Sequence, residues 1–341
     1  MRVALFGLGA TGSHLARQLT QSPATELHLF DRDDKRLTRI AEALQAVVDP
    51  SQTIVVGEPD PSDGPDVAII ATPTGTHASL ASMMLEAGSH VVSVSDDPEE
   101  AVELFDLDDA AQRAGRTVAI GAGFAPGLSC LLARYAADQL DHVEVISTYA
   151  AGTGGPACAR QHHRALNEDG HEWIDGAWVL RRGGSGRDLA WFPEPFGARD
   201  CYRAGLASPI LIQRALPDAE RISSRLSATR RDRLTSRLPM MRTPHSDGGP
   251  GAVRVEVRGR LDGAAETIIL GVMDHPSVAA GTVASLAAMA AVEGRAPAGA
   301  NGLASWPDPK RFLTDLRHRG VRVASYSGLL SPMPAGTPTT G

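Results

Sequence analysis

The chain has 341 residues, of which 43% are hydrophobic, with a formal net charge of −7. That length holds two ordinary domains, each with its own core. The acidic balance lacks the basic footprint that nucleic acid demands, and the longest apolar stretch, the 15 residues Val278–Val292, is too short for a membrane span, so neither nucleic acid nor membrane is expected as a partner.

In chain order, strand and helix signals alternate over the first 123 residues. Val3–Phe6 reads as a strand, Gly12–Gln21 as a helix stopped by Ser22-Pro23, Leu27–Phe30 as a second strand, and Asp34–Val47 as a helix by its apolar spacing. A short strand, Thr53–Val56, is followed by a loop from Glu58 to Pro65 and by the fully apolar strand Val67–Ala71. Thr76–Ala87 is a helix closed by Gly88, His90–Val94 a strand, Pro98–Ala114 a helix with proline at its start and Gly115 at its end, and Thr117–Ile120 the last strand of the series. Alternation with continuous apolar strands predicts a parallel sheet covered by helices on both faces.

After Gly123 the texture changes. Pro126–Leu140 reads as one long helix, followed by strand-like runs at Val143–Thr148, Trp173–Arg181, Arg221–Thr229, Ala252–Leu261 and Thr267–Val272. The alternation of Val253, Val255 and Val257 buries one face only, the mark of an antiparallel sheet, and Asp175-Gly176 and Asp262-Gly263 are hairpin-turn signals. The expected fold is α/β, a doubly wound parallel Rossmann sheet with a second α+β domain containing a mostly antiparallel sheet. The expected boundaries are 1–125 for the first domain and 126–275 for the second. Residues 276–330 form a C-terminal segment returning to the first domain, and 331–341 a disordered tail rich in Pro, Gly and Thr.

The first strand runs into Gly7-x-Gly9-x-x-Gly12, and Asp31 ends the second strand about twenty residues on, the dinucleotide-binding fingerprint. Gly7 allows a tight turn, Gly9 lets the backbone approach a pyrophosphate, and Gly12 lets the helix lie close to the strand. Ala10 and Thr11 open that helix, whose free N–H groups and positive dipole end suit phosphate. Asp31 is expected on the adenosine ribose, which favours NAD over NADP by repelling a 2′-phosphate. Arg32, Lys35 and Arg36 follow it, however, and an arginine there holds that phosphate. NAD or NADP is therefore the expected cofactor, with NAD favoured.

Ala71, Thr72 and Pro73 end a strand at the carboxyl edge of the sheet, where ligands bind, and His77 opens the next helix, either as packing or as a cofactor contact. Asp96 and Asp97 lie past the end of another strand. They are candidates to take a proton or bind an ammonium group, while Asp97 before Pro98 equally reads as an N-cap. Gly123, within Gly121-x-Gly123-x-x-Pro126-Gly127, reads as a hinge or a cofactor contact. A helix starting near Pro156 puts Arg160 with His163, or Arg160 with Arg164, on one face. Arg160 and Arg164 suit a substrate carboxylate and His163 a proton carrier, against the plainer reading of an exposed basic face. Only two lysines, Lys35 and Lys310, stand among 31 arginines, so lysine chemistry has no visible agent. Cys130, Cys158 and Cys201 are far apart and show no CxxC spacing, so neither disulfide nor metal is expected. A strand signal at the first residues leaves no room for a leader peptide, so a cytoplasmic location is expected.

Three further stretches carry a resemblance: VAIIATPTGTHASLASMMLEAGSHVVSVSDD at 67–97, GAGFAPGLSCLLAR at 121–134, and the hairpin Trp173-Ile-Asp-Gly-Ala-Trp-Val. With the N-terminal fingerprint, they resemble the saccharopine-dehydrogenase-like oxidoreductases, which include carboxynorspermidine dehydrogenase. The resemblance implies a Rossmann domain, an inserted sheet domain forming the substrate wall, and a C-terminal return. It implies hydride transfer at a carbon–nitrogen bond of an amino-acid-like small molecule, and a homodimer. The TPTGTH segment also resembles the glucose–fructose oxidoreductase and inositol dehydrogenase family, where a Glu-Lys-Pro triplet supplies a catalytic lysine. Here Ser95-Asp96-Asp97-Pro98 takes that place, which ranks sugar or cyclitol oxidation second. A non-catalytic dinucleotide sensor is the third reading, since it would keep the glycine turn and need no proton carrier.

Overall fold

The computed structural model describes residues 1–21, 26–49, 51–57, 64–240 and 243–326. The Ser22-Pro23 stop, most of the loop from Glu58 and the tail 331–341 lie outside them. The first half runs β1 (Arg2–Phe6), α1 (Ala10–Leu19), β2 (Glu26–Phe30), α2 (Asp34–Gln45), β3 (Thr53–Val56), β4 (Val67–Ile70), α3 (His77–Glu86), β5 (His90–Ser93), α4 (Pro98–Phe105), α5 (Asp108–Ala114) and β6 (Thr117–Ile120). The second half runs α6 (Leu128–Ala137), β7 (His142–Ala151), α7 (Pro156–Ala165), β8 (Gly170–Ile174), β9 (Ala177–Arg181), β10 (Asp188–Trp191), β11 (Ala198–Arg203), α8 (Ser208–Ala215), β12 (Arg221–Ser227), α9 (Arg230–Thr235), β13 (Gly251–Leu261), β14 (Ala264–Asp274), α10 (Pro276–Val292), β15 (Gly299–Gly302), α11 (Pro309–His318) and β16 (Val323–Tyr326).

Seven strands form a parallel sheet in the order β15-β6-β5-β4-β1-β2-β3. Its centre is built from β4, β5 and β6, which are buried on both faces and whose side chains are accordingly nearly all apolar. The chain reverses direction of travel between β1 and β4, and that switch point opens a crevice at the carboxyl ends of both strands, where open α/β sheets bind their ligands. α10, apolar all round, is covered on every side because it packs across α1 and onto β4 and β5.

The second sheet has nine strands, β10-β11-β12-β7-β13-β14-β16, with β8 and β9 beside β12. It is antiparallel except for β7 and β12, which run parallel because α7, four strands and α8 intervene between them. The two Asp-Gly turns close the β8–β9 and β13–β14 hairpins, with Asp175 at φ 49° and Asp262 at φ 52°. The helix expected over Pro98–Ala114 is broken into α4 and α5. At the break, the Asp108 carboxylate accepts from the N–H of Ala300 and from Arg214, which docks the edge strand β15 against α5. β15 and α10 attach to the first sheet, while β16 pairs with β14 of the second.

Candidate active site

The glycine turn shows which positions the fold itself constrains. Gly7 has φ 91°, and a Cβ there would lie 2.6 Å from the Ala71 carbonyl oxygen. A Cβ on Gly12 would lie 1.9 Å from the Gly7 oxygen. Both are demanded by packing of the turn against its own helix and the end of β4. Gly9 is different: a Cβ there would meet nothing within 4 Å, and its backbone is extended. The space in front of Gly9 therefore belongs to something outside the chain. The first N–H groups of α1, which have no intrahelical acceptor, open beside it through Ala10 and Thr11, and no acidic side chain occupies that first turn. The residues fit a dinucleotide pyrophosphate.

Asp31 is held more tightly than its sequence position suggests. Its side chain is only 4% exposed. It accepts from the N–H of Leu8 at 2.7 Å, the N–H of Asp33 at 2.9 Å and Arg36 at 3.3 Å on both oxygens. The carboxylate pins the glycine turn to β2, and a ribose hydroxyl must compete with Arg36 for it. Arg32 and Lys35 are exposed beside it.

At the end of β4, Ala71 continues the strand pairing to Phe6, and Thr72-Pro73 begins a turn stapled from within. His77 is fully buried, with Nε2 at 2.9 Å from the Thr72 carbonyl and Nδ1 at 2.8 Å from Ser93 Oγ. A carbonyl only accepts, so Nε2 carries the hydrogen and the Ser93 hydroxyl donates to Nδ1. Burial holds the ring below its usual pKa, with Glu100 pulling the other way. Glu100, itself buried, accepts from the N–H groups of Gly75 and His77 and from the Ser95 hydroxyl, tying the β4–α3 turn to α4. His77 is thus held by the scaffold at both nitrogens.

Past β5 the chain meets α7. Gly155, just before α7, sits so close to Ala10 that a Cβ would lie 2.8 Å from the alanine's own, so α7 begins against the start of α1. Asp97 Oδ1 caps α4 through the N–H groups of Glu99 and Glu100, while Oδ2 accepts from Gln161 of α7 at 3.0 Å. Asp96 faces His162, whose Nε2 lies 3.3 Å from Asp96 Oδ2 and 3.6 Å from Cys158 Sγ. Burial opposes a charge on His162, but Cys158 and Asp96 outweigh it and hold the ring well above the usual imidazole value. His162 also lines a small cavity of about 10 Å³ with Thr148, Tyr149, Ser208 and Ser224, room for about one water. Glu168, after α7, is raised by partial burial and by the charge of Asp97, against the pull of Arg164.

The residues singled out on α7 in the sequence are arranged otherwise. His163 turns away from the crevice and meets the carbonyl of Leu238 at 2.9 Å. The histidine at Asp96 is its neighbour His162, which sequence reasoning passed over although the i, i+4 spacing of Cys158 and His162 was there to be read. Arg160 and Arg164 are exposed on another side of α7, with Arg164 donating to Gln161. Gly123 lies among protein backbone, where a Cβ would meet Pro126 O at 3.3 Å and Val94 O at 3.6 Å. The helix after it starts at Leu128 rather than at Pro126. Cys130 and Cys201 are pushed up by burial, to about 11 and about 12, which leaves Cys158 as the half-exposed thiol. Lys35 and Lys310 lie in the first turns of α2 and α11, and neither makes the contacts of Asp96, Cys158 and His162.

Residues 1–122 match the family model described as an oxidoreductase family with an NAD-binding Rossmann fold (GFO/IDH/MocA). The N-terminal domain is an NAD-binding Rossmann domain of the oxidoreductase type. Its cofactor is NAD or NADP. The whole chain superposes on saccharopine dehydrogenase (L-Glu forming) from Saccharomyces cerevisiae with a TM-score of 0.69 at 15% identity, covering 96% of this chain and 100% of that one. An amine dehydrogenase from Mycobacterium smegmatis gives 0.52 at 12% identity, covering 90% and 96%. The C. glutamicum DAP dehydrogenase in complex with DAP gives 0.50 at 15%, covering 94% and 99%. At these identities the likeness is one of fold. Among the described residues no helix is long and apolar enough to cross a membrane.

Proposed function

We propose that this chain is an NAD(P)-dependent oxidoreductase that transfers hydride at a carbon–nitrogen bond of an amino-acid-like substrate, as the saccharopine-dehydrogenase-like enzymes do. The observation that carries the reading is the convergence of Asp96, Asp97, Cys158 and His162 beside the carboxyl ends of β4 and β5, next to the helix that starts at the glycine turn. Asp96, Asp97 and Glu168 bring three carboxylates to that neighbourhood, with Glu168 raised by burial first and by the charge of Asp97 second, a setting that favours a substrate ammonium over a neutral sugar. Arg160 and Arg164, one side of α7 away, are the groups to meet a carboxylate on the same substrate. When bound, the nicotinamide supplies the hydride chemistry. The protein's part is to hold the phosphates on the turn from Gly7 to Gly12, to fix the β4 turn through His77 and Glu100, and to polarise the substrate nitrogen with the cluster on Asp96. The likeness of the full chain to saccharopine, amine and DAP dehydrogenases supports this substrate class.

Sugar or cyclitol oxidation is favoured by one finding, the family model over residues 1–122. The lysine that such chemistry uses in the family this segment resembles is replaced here by Asp97, which is already committed to capping α4. Steady-state oxidation and reduction of NAD(H) and NADP(H) over a panel of amino acids, keto acids with amines, and sugars separates the two. Turnover of amines or imines is expected. Sugar turnover without amine activity overturns the reading.

A further inference from the structure

We propose that Asp96, Cys158 and His162 form a three-ligand site for a divalent transition metal of the zinc class. The absence of CxxC spacing led to the expectation of no metal. Here the ligands are instead assembled from one turn of α7 and the loop after β5. Cys158 and His162, at i and i+4, project from one side of α7. The one-residue loop position of Asp96, just before the residue that caps α4, aims its carboxylate at them.

Three observations point to a metal ion rather than to a proton relay. First, both contacts fall on the same imidazole nitrogen: Nε2 faces Asp96 Oδ2 at 3.3 Å and Cys158 Sγ at 3.6 Å. A relay from acid through histidine to thiol needs one partner on each ring nitrogen, and a single N–H cannot point along both directions. A cation between the three donors satisfies all of them at once. Second, the two spacings to the imidazole nitrogen are those of a tetrahedron. With zinc bonds of about 2.3 Å to sulfur, about 2.05 Å to imidazole and about 2.0 Å to carboxylate, tetrahedral geometry puts nitrogen and oxygen about 3.3 Å apart and sulfur and nitrogen about 3.6 Å apart. The three donor atoms lie within 4.8 Å of one another. Third, the donor set is selective. A thiol with an imidazole and one carboxylate suits zinc and its neighbours, whereas magnesium and calcium take oxygen ligands.

Three protein ligands with one position left free is the pattern of catalytic zinc sites, while structural ones are closed by four. Of the three ligands, His162 also lines the small cavity that has Thr148, Ser208 and Ser224 on its wall. Asp96 and His162 side chains are 18% and 13% exposed, enough for an ion to enter and too little for bulk water to compete freely.

The test uses the untagged full chain, stripped with chelator and titrated without cofactor or substrate, so that its outcome is independent of the hydride chemistry. One equivalent of Zn(II) is expected to bind with submicromolar affinity and to raise the melting temperature. Co(II) is expected to give tetrahedral visible bands and a thiolate-to-cobalt charge-transfer band. Cys158→Ser should abolish the charge-transfer band. Cys158→Ser and His162→Asn should each cost more affinity than the roughly 10–100-fold that loss of an outer-sphere partner costs. Cys201→Ala, in the second domain's own core, should change neither. Circular dichroism of each variant checks that it is folded. A folded wild type that takes up no Zn(II) or Co(II), or folded variants that bind both ions as well as wild type does, would overturn the proposal.

Discussion

The space before Gly9 gives the sharpest test of cofactor binding. Gly9→Val adds a side chain whose Cβ meets no protein atom within 4 Å, so the fold tolerates a branch point there. Gly9 is the N-cap of α1 and its backbone is open to any residue. Valine is a poor cap, which costs about 1 kcal/mol, a fall in melting temperature of roughly 2–4 °C. A dinucleotide, in contrast, must back away from the turn. Losing two backbone N–H bonds to charged phosphate at about 1.5–3 kcal/mol each removes roughly 3–6 kcal/mol, or about 10²–10⁴-fold in affinity. Gly12→Val is the counterpart: its Cβ would sit 1.9 Å from the Gly7 oxygen, so the turn itself must give way and stability falls by more than about 4 kcal/mol. Isothermal titration with NADH and NADPH, paired with thermal melts, reads both effects. A folded Gly9→Val chain that binds the cofactor as wild type does would refute the placement of the pyrophosphate. A Gly12→Val chain that melts normally would refute the packing of the turn against its helix.

The choice of cofactor is tested at Arg36: Arg36→Ala should lower NADPH affinity roughly tenfold or more and leave NADH unchanged or tighter, since the substitution frees Asp31 for the ribose. Equal losses for both in direct titrations would show that Arg36 acts only on the turn. His162→Asn should lower kcat by on the order of 10²-fold or more, whereas His163→Ala, which loses only a contact to Leu238, should cost far less; the reverse order in steady-state assays would move the chemistry to the other face of α7. His77 is held below 6.5 by burial, so the folded state binds fewer protons than the unfolded one. Its contribution is complete above about 6.5 and is lost as pH falls through the folded value. Urea midpoints should therefore fall from pH 7.5 to pH 5, more steeply in wild type than in His77→Gln, and identical slopes would remove His77 from the account. Trp178, Leu180, Leu189 and Trp191 are large apolar side chains exposed on the second sheet, and we propose a homodimer that covers them; a monomer by light scattering at micromolar concentration would count against it.

The sequence by itself determined what depends on near neighbours. The glycine turn is legible because Gly7 and Gly12 are constrained by contacts within the turn and by the end of one adjacent strand. The buried strands of the first sheet are legible because both faces are covered and nearly every position is apolar. The two hairpins are legible because Asp-Gly tolerates the positive φ that their turns require. What failed to show was decided by docking. β15, Gly299–Gly302, has no apolar pattern and becomes a strand because Asp108 and the free edge of β6 hold it. The expected long helix is interrupted between Phe105 and Asp108, where Asp108 bonds Ala300 and Arg214 from distant parts of the chain. Helical spacing placed a helix at Pro156, but a period cannot say which of its faces meets the sheet. That was settled when Gly155 seated α7 against Ala10, turning Cys158 and His162, rather than His163, toward Asp96. Local rules set the elements and the turn, and only packing between elements distant in the chain brings three donors of different kinds to one point.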